Sequence, residues 1–159
     1  MITVRPLADE DRAWGIEVEH ESWGDEGLAR RGELVDPTIL PGLVALVDGE
    51  RAGLLRYDVR GEACEVVTLR SLREGIGVGR ALLDAARETA AAAGCRRLWL
   101  VTTNDNLRAL GLYQRWGMTL TAFRRDAVNE SRKTLKPSIS ERAQNGIPIE
   151  HELELELLL

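Results

Sequence analysis

A glycine-rich segment in the middle of the chain is the first candidate for binding chemistry, because it lies between an apolar run and a stretch of helical periodicity. It reads, in order, Glu74, Gly75, Ile76, Gly77, Val78, Gly79 and Arg80. Glycines at a strand-to-helix junction let successive backbone N–H groups point into one concavity, and the helix N-terminus adds positive potential. The pattern fits a phosphate-binding loop, and it equally fits a tight turn that packs a helix closely against a strand.

The segment departs from two common nucleotide-binding patterns. No Lys-Ser or Lys-Thr pair follows the glycines, as a Walker A loop requires. A dinucleotide fingerprint needs a third glycine or alanine where this chain has Arg80. A nucleotide-binding α/β protein is therefore disfavoured.

A second motif begins one helix later, directly after the next predicted strand. Asn106 lies at the start of a predicted helix whose apolar face is formed by Ala109, Leu112, Tyr113 and Trp116. The Asn106 side chain can cap this helix or contact a ligand, and Tyr113 can belong to the core or reach a site. The residues alone leave these alternatives open.

Together the two motifs resemble those of the GNAT superfamily of N-acetyltransferases. That family has a strand, a glycine loop and a helix, then a strand and the pattern N-x-x-A-x-x-x-Y-x-x-x-G followed by Phe or Met, as this chain does. The resemblance is clear for residues 62–118, and the order of predicted elements extends it over the whole chain. In the loop, Glu74 stands where the family has Gln or Arg, and the connection from the preceding strand is shorter than usual and lacks the common V-x-P.

The resemblance implies an acetyl-CoA-dependent transferase, with acetyl-CoA as co-substrate and no metal. It places phosphate on the glycine loop, a ligand contact at Asn106, and pantetheine along the strand edge at Leu69 and Ser71. It also implies that a backbone N–H near Leu69 polarises the thioester carbonyl and that Tyr113 protonates the departing CoA thiolate. The acceptor amine attacks directly in this family, so no acyl-enzyme forms.

Glu65 is the candidate general base, since it is the only charged residue in the apolar run Ala63–Leu69, where an unpaired carboxylate would be costly. Its place four residues before Leu69 matches the catalytic glutamate of some family members. The alternatives are that Glu65 lies on a solvated patch, that it pairs with an arginine, or that a water relay serves as the base.

Two functions from different classes remain. The first is an N-acetyltransferase that acts on a primary amine of a small molecule or peptide. The second is a non-catalytic acyl-CoA-binding module for regulation or assembly. Asn106 and Tyr113 favour the enzyme, whereas Glu74 in the loop favours the module.

The elements that position these motifs follow from the pattern of apolar residues. The chain predicts a strand, helices, three antiparallel strands, then helix, strand, helix and two strands. This is a mixed α+β fold of GNAT type, with helices on a largely antiparallel sheet. The Asp48-Gly49 pair predicts a hairpin turn, and the strands at 63–69 and 97–102 should be parallel because a helix connects them. With no repeats or linkers, residues 1–159 are predicted to form one domain.

Three further segments are predicted from the same pattern. Residues 24–42 are expected to form a helix-and-loop excursion. The N-terminal excursion, which includes Glu21, Trp23, Asp25 and Glu26, forms either one wall of the acceptor cleft or a solvated face. Thr119–Val128 is predicted to be a strand, and a last strand over 149–159 offers Leu153–Leu159 for pairing across a homodimer.

Composition limits the range of functions. A net charge of −5 over 159 residues argues against a general nucleic-acid binder, which would show a basic face. No apolar stretch is long enough for a membrane span, and the N-terminus lacks a signal-peptide pattern, so a cytoplasmic location is expected. Cys64 and Cys95, like His20 and His151, are too few and too scattered to predict a disulfide framework or a zinc site.

Overall fold

The computed structural model describes all 159 residues and contains nine strands and four α-helices. The strands are β1 (Ile2–Pro6), β2 (Leu28–Arg30), β3 (Glu33–Val35), β4 (Gly42–Val47), β5 (Glu50–Arg60), β6 (Ala63–Ser71), β7 (Arg97–Thr103), β8 (Thr119–Arg124) and β9 (Glu152–Leu158). The helices are α1 (Arg12–Trp23), α2 (Val78–Ala92), α3 (Leu107–Trp116) and α4 (Ala127–Thr134). None of these helices is both long enough and apolar enough to cross a membrane.

Seven strands form one sheet in the order β1–β4–β5–β6–β7–β9–β8. The β1–β4, β4–β5, β5–β6 and β8–β9 ladders are antiparallel, whereas β6 and β7 are parallel, as expected for two strands joined through α2. The predicted mixed α+β class, with helices flanking a largely antiparallel sheet, is confirmed.

The last strand does not have a free edge. β9 lies between β7 and β8 in the sheet order, so both of its edges are occupied. The suggestion that Leu153–Leu159 pairs across a dimer is therefore wrong, because edge pairing needs unsatisfied N–H and C=O groups. A homodimer formed in another way stays a prediction.

The chain divides into two compact units. The first contains residues 1–25, 37–99 and 158–159, and the second contains residues 26–36 and 100–157. The single domain over residues 1–159 stays a prediction.

In the first unit, the turn between β4 and β5 confirms the predicted hairpin. Asp48 and Gly49 have φ angles of +49° and +85°. Positive φ at both central residues gives a tight turn whose twist matches that of the flanking strands. The hairpin is thus encoded locally, by the Asp-Gly pair.

Helices α1 and α2 cover opposite faces of the sheet in the first unit. On one face, Val18 of α1 packs with Val44 and Leu54 in the core. On the other face, Gly53 leaves room for α2, because a Cβ at this position would lie 2.6 Å from Val78 Cγ1. Gly53 and Leu54 are neighbours on β5, so they face opposite sides of the sheet.

A buried ion pair joins α1 to the sheet. Arg56 Nε donates to Glu19 Oε1 at 2.7 Å, and neither side chain is more than 2% exposed. Arg56 Nη1 also donates to the Leu40 carbonyl at 2.7 Å. Gly15 makes room for this guanidinium, because a Cβ there would lie 2.9 Å from Arg56 Nη2. Loss of one partner of such a pair costs about 3–5 kcal/mol, so the pair fixes α1 against β5.

In the second unit, a short hairpin replaces part of the predicted helix-and-loop excursion. β2 and β3 pair antiparallel, and the residues between them, Arg31 and Gly32, have φ of +52° and +76°. This is the backbone of a two-residue hairpin turn. Strands of only three residues show too little alternation to be distinguished from a loop by pattern.

The prediction of a strand over Thr119–Val128 is wrong in its second half. β8 ends at Arg124, Asp126 has a φ of +61°, and α4 begins at Ala127. Contacts distant in sequence support α4, since the Arg132 side chain donates to the carbonyls of Ile139, Ser140 and Ile149 at 2.8–2.9 Å. The local alternation of polar and apolar residues carries no information about such contacts.

Candidate functional site

The loop between β6 and α2 owes its shape to backbone conformation. Gly75 and Gly77 have φ of +82° and +98°, a left-handed region that glycine adopts without strain. A Cβ at Gly75 would meet no atom within 4 Å, and one at Gly77 would meet only Ile2 Cδ1, at 3.8 Å. Close packing of α2 against the sheet occurs at Gly53, and Gly79 at the start of α2 is buried. Residues 74–77 are exposed and leave an open backbone surface.

The first turn of α2 adds positive potential to this surface. The Gly77 carbonyl accepts the first helical hydrogen bond, from the Ala81 N–H at 3.0 Å. The N–H groups of Val78, Gly79 and Arg80 precede this bond and have no partner within the helix. No acidic residue lies in the first turn, and the N-cap Gly77 brings no side chain. The arrangement can hold an anion of phosphate size through backbone amides and the helix dipole.

The strand that leads into this loop is paired unequally along its two edges. The β5–β6 ladder runs from Ala63 to Ser71, whereas the β6–β7 ladder comprises only Ala63, Cys64 and Glu65. Leu69 and Ser71 therefore lie on a stretch of β6 that β5 alone pairs. Such a stretch has backbone groups on its other edge for an extended ligand.

Glu65 is buried within this strand. It is 4% exposed, so the interpretation as part of a solvated patch is wrong. Its cross-strand partners are Asp58 on β5 and Trp99 on β7, which makes it the last β6 residue in the ladder with β7. Glu65 thus stands where the pairing of β6 on that edge ends. Its role as the base stays a prediction.

In the second unit, Asn106 occupies the N-cap position of α3 without acting as a side-chain cap. Its φ of −82° and ψ of 64° precede the helix, and its side chain makes no capping hydrogen bond. Its Nδ2 donates instead to Thr102 Oγ1 at 3.1 Å, and the residue is exposed. Of the two sequence interpretations, a ligand contact is the one that this geometry favours.

Tyr113 lies on the buried face of α3. Its exposure is 7%, and burial raises the pKa of its hydroxyl to about 12. The phenol is therefore protonated at neutral pH and can donate a hydrogen bond. The core interpretation and the functional one are compatible here, because a tyrosine ring can pack in the core while its hydroxyl is used elsewhere. The role of the hydroxyl stays a prediction.

The predicted site residues thus fall into two groups. Glu65, Leu69, Ser71 and residues 74–80 lie together in the first unit, along β6, its loop and the start of α2. Asn106 and Tyr113 lie together in the second unit, at the start and on the buried face of α3. Each group lies on the elements that its motif predicts, and the roles of the residues stay predictions.

Sequence reasoning missed two residues near these groups. Gly53, which permits the close approach of α2, lies inside a strand without a local signal. Thr68, whose buried hydroxyl has no hydrogen-bond partner in the protein, falls within a mostly apolar run. The available signal was its polarity, since a hydroxyl inside such a run needs an explanation.

The comparisons with known proteins agree with the geometry. The family model described as "Acetyltransferase (GNAT) family" matches residues 5–118 of the chain. YdhI of Bacillus subtilis strain 168, an uncharacterized protein, is 39% identical over 132 residues, which cover 82% of each sequence.

Two solved structures show the same fold. The IAA acetyltransferase from Bacillus cereus ATCC 14579 superposes with a TM-score of 0.73 at 20% identity, covering 100% of both chains. A GNAT family acetyltransferase from Elizabethkingia anophelis, solved with acetyl-CoA bound, has a TM-score of 0.73 at 19% identity, covering 99% of this chain and 98% of its own.

Proposed function

Because the chain belongs to the GNAT acetyltransferase family, we propose that it transfers the acetyl group of acetyl-CoA to the primary amine of a small molecule or peptide, in the cytoplasm. Membership and fold support acetyl transfer. The proposal depends above all on the open loop between β6 and α2, where Gly75 and Gly77 have left-handed φ angles. Beside it lie the first amides of α2, which have no partner within the helix. The acetyl-CoA in the related Elizabethkingia structure supports the choice of co-substrate.

The co-substrate binds through backbone groups in this proposal. The amides of residues 74–80 receive the pyrophosphate, and the free edge of β6 at Leu69 and Ser71 pairs with the pantetheine chain. Asn106 adds a side-chain contact through an amide that does not cap its own helix. No metal is required, since amides and the helix dipole provide the positive potential.

The chemistry is a direct transfer. The amine nitrogen attacks the thioester carbonyl carbon, the new C–N bond forms, the C–S bond breaks, and the nitrogen loses a proton while the sulfur gains one. A backbone N–H near Leu69 stabilises the charge that develops on the carbonyl oxygen. No protein nucleophile takes part.

Tyr113 assists the departing sulfur. Its pKa of about 12 keeps the proton on the phenol, whereas a thiol of cysteine type has a pKa of about 8.5. Complete proton transfer to a free thiolate is therefore uphill, and Tyr113 acts mainly as a hydrogen-bond donor. Its contribution should lie at the low end of general acid catalysis, about 10²-fold.

Glu65 is the proposed base, with a water relay as the alternative. Glu65→Gln should lower kcat/KM for the amine about 10²-fold while the dissociation constant of acetyl-CoA stays constant. The acidic limb of the pH–rate profile should vanish with it. Glu62→Gln, on an exposed glutamate in the turn before β6, is the matched control. An unchanged profile in Glu65→Gln would assign proton removal to water.

The function is tested by measuring CoA release across a panel of primary amines, together with thermal shifts. Acetyl-CoA at 100 times its dissociation constant contributes about 2.7 kcal/mol, which raises Tm by several degrees. NAD and ATP should give no shift. Equal shifts with all three ligands would contradict the proposed co-substrate.

A non-catalytic acyl-CoA-binding module is the second candidate, and the substitution of Glu74 for Gln or Arg in the loop favours it. The same experiment separates the two functions. A module is stabilised by acetyl-CoA but releases no CoA with any amine, whereas the enzyme does both.

A further inference from the structure

A β-bulge places Thr68 and Glu65 on the same face of the sheet. In a regular strand, residues three apart face opposite sides. Here Thr68 pairs with Arg56 and Val66 pairs with Tyr57, so Val67 is the extra residue of a bulge. Glu65 then pairs with Asp58. Arg56 and Asp58 are two apart on β5 and share a face, so their partners Thr68 and Glu65 share that face as well.

This shared face is the one that α1 covers. Arg56 forms its buried ion pair with Glu19 of α1 at 2.7 Å. Leu54, on the same side of β5 as Arg56, packs against Val18 of α1. The face of α2, which carries the proposed phosphate loop at its N-terminus, is the opposite one. Glu65 and Thr68 are thus separated by the sheet from the side on which α2 packs.

The hydroxyl of Thr68 has no partner within the protein. Thr68 is 4% exposed, and its Oγ1 is buried without a hydrogen bond. The cross-strand partner of Thr68 is Arg56, whose Nε donates to Glu19 and whose Nη1 donates to the Leu40 carbonyl. Arg56 Nη2 is buried without a partner and does not bond the Thr68 hydroxyl. Burial of an unbonded hydroxyl disfavours the folded state. Groups of this kind are few in native proteins, and a functional role is one of the explanations for them.

The position of Thr68 along β6 indicates which ligand would bond its hydroxyl. Thr68 precedes Leu69, whose neighbouring backbone N–H is the proposed donor to the thioester oxygen. It lies beyond Glu65, where the ladder with β7 has ended, so β7 does not pair this part of the strand. A hydroxyl can accept a hydrogen bond from an amine N–H and leave the nitrogen lone pair free to attack.

We propose that Thr68 is an acceptor-binding residue whose hydroxyl oxygen accepts an N–H of the attacking primary amine and orients its nitrogen toward the thioester carbon. This inference rests on the proposed function and adds a specific contact to it. Thr68 positions the nitrogen, and Glu65, on the same face, is the proposed base that takes the proton.

The test compares Thr68→Val, which keeps the shape and removes the hydroxyl, with Thr68→Ser, which keeps the hydroxyl. Thr68→Val should lower kcat/KM for the amine about tenfold, the effect of one lost hydrogen bond. The dissociation constant of acetyl-CoA should not change. The Tm of Thr68→Val should equal or exceed that of the wild type, because a methyl group is buried without a polar cost. Thr68→Ser should retain most of the amine kinetics.

The outcomes separate this inference from the proposed function. A loss of activity in Thr68→Val with an undiminished Tm and rescue by Thr68→Ser supports the inference. A lower Tm in Thr68→Val overturns it, since the hydroxyl would then have a structural partner. Wild-type kinetics in Thr68→Val overturn it as well and leave the acetyltransferase standing. A wild-type protein that releases no CoA with any amine overturns the function, and the role of Thr68 with it.

Discussion

The N-termini of α2 and α3 are both proposed to contact acetyl-CoA, the first through its backbone and the second through a side chain. Both helices follow a strand of the sheet. At α2 the N-cap is Gly77, with φ of +98° and no side chain, so only backbone is presented. At α3 the N-cap is Asn106, with φ of −82°, whose side chain bonds Thr102 rather than the helix.

Because of this difference, substitutions should affect ligand binding by the backbone and by a side chain in different ways. A backbone surface built on positive φ angles is insensitive to side-chain chemistry but is strained by an added Cβ. A side-chain contact can be removed without disturbing the fold. Gly77→Val at the start of α2 should therefore weaken acetyl-CoA binding more than Asn106→Ala at the start of α3.

Gly77→Val should have the largest effect. A Cβ at a φ of +98° forces the loop into another conformation and places a side chain where phosphate approaches the amides. We expect acetyl-CoA to bind about a hundredfold more weakly, which corresponds to roughly 2.7 kcal/mol. Calorimetric titration of the folded variant measures this.

Gly94→Val is the matched control for backbone strain. Gly94 lies beyond the other end of α2 and has a φ of +81°, and a Cβ added there would meet no atom within 4 Å. The variant should lose comparable stability and bind acetyl-CoA normally. Equal weakening of binding in both variants would mean that strain, rather than contact with the loop, causes the loss.

Tyr113→Phe should reduce kcat about 10²-fold and leave the acetyl-CoA dissociation constant unchanged, because the hydroxyl acts when the sulfur departs. The phenyl ring keeps the packing of α3, so Tm at neutral pH should stay constant. Stopped-flow turnover and titration separate the two constants. Tyr57→Phe, on the other tyrosine of the chain, should retain full activity.

The raised pKa of Tyr113 also predicts how the stability of Tyr113→Phe depends on pH in the alkaline range. Between pH 10 and about 12 the hydroxyl ionises in the unfolded chain before it does so in the folded one, so stability falls as pH rises through this range. Tyr113→Phe removes this component of the loss. A Tm in Tyr113→Phe that declines above pH 10 as steeply as in the wild type would contradict the burial of the hydroxyl.

Asn106→Ala should weaken acetyl-CoA binding by about three- to tenfold, the effect of one hydrogen bond, with little change in Tm. Asn104→Ala is the comparison variant, because Asn104 has a structural role. Asn104 lies two residues earlier and bonds the backbone of Pro148, Glu150 and His151. Asn104→Ala should therefore lower Tm clearly. If Asn106→Ala lowers Tm as much and binding not at all, Asn106 is a structural residue.

Glu74→Gln should have the smallest effect. It removes an anion beside the proposed phosphate site, so acetyl-CoA should bind equally well or up to about twofold more tightly at low salt. Titrations at two ionic strengths measure this. A tenfold weaker affinity would show that Glu74 contacts the ligand and that the loop is aligned wrongly with the family pattern.

Helix α2 and its loop could be predicted from the sequence because their determinants are local. Apolar residues at helical spacing define the buried face, and Gly94 ends the helix with a φ of +81°. The Asp48-Gly49 turn is local in the same sense. The family motifs lie in these segments, so the candidate residues of the site followed with them.

The missed elements depend on contacts that are distant in sequence. α4 is held by Arg132, whose side chain reaches carbonyls 7 to 17 residues away. The face of Thr68 depends on a bulge set by pairing with β5. Strict alternation along β6 would place Thr68 and Glu65 on opposite faces of the sheet, whereas the bulge places them on the same face.

The position of β9 inside the sheet has a consequence for synthesis on the ribosome. β8 has a single neighbour in the sheet, β9, which follows it only after residues 125–151. At about 5–20 residues per second, translation leaves β8 without its partner for an interval on the order of seconds. Phe123 and Leu120 on β8 are among the exposed apolar side chains even in the finished fold. A longer connection between the two strands would extend the interval in which a nascent chain can associate wrongly, without altering the final structure.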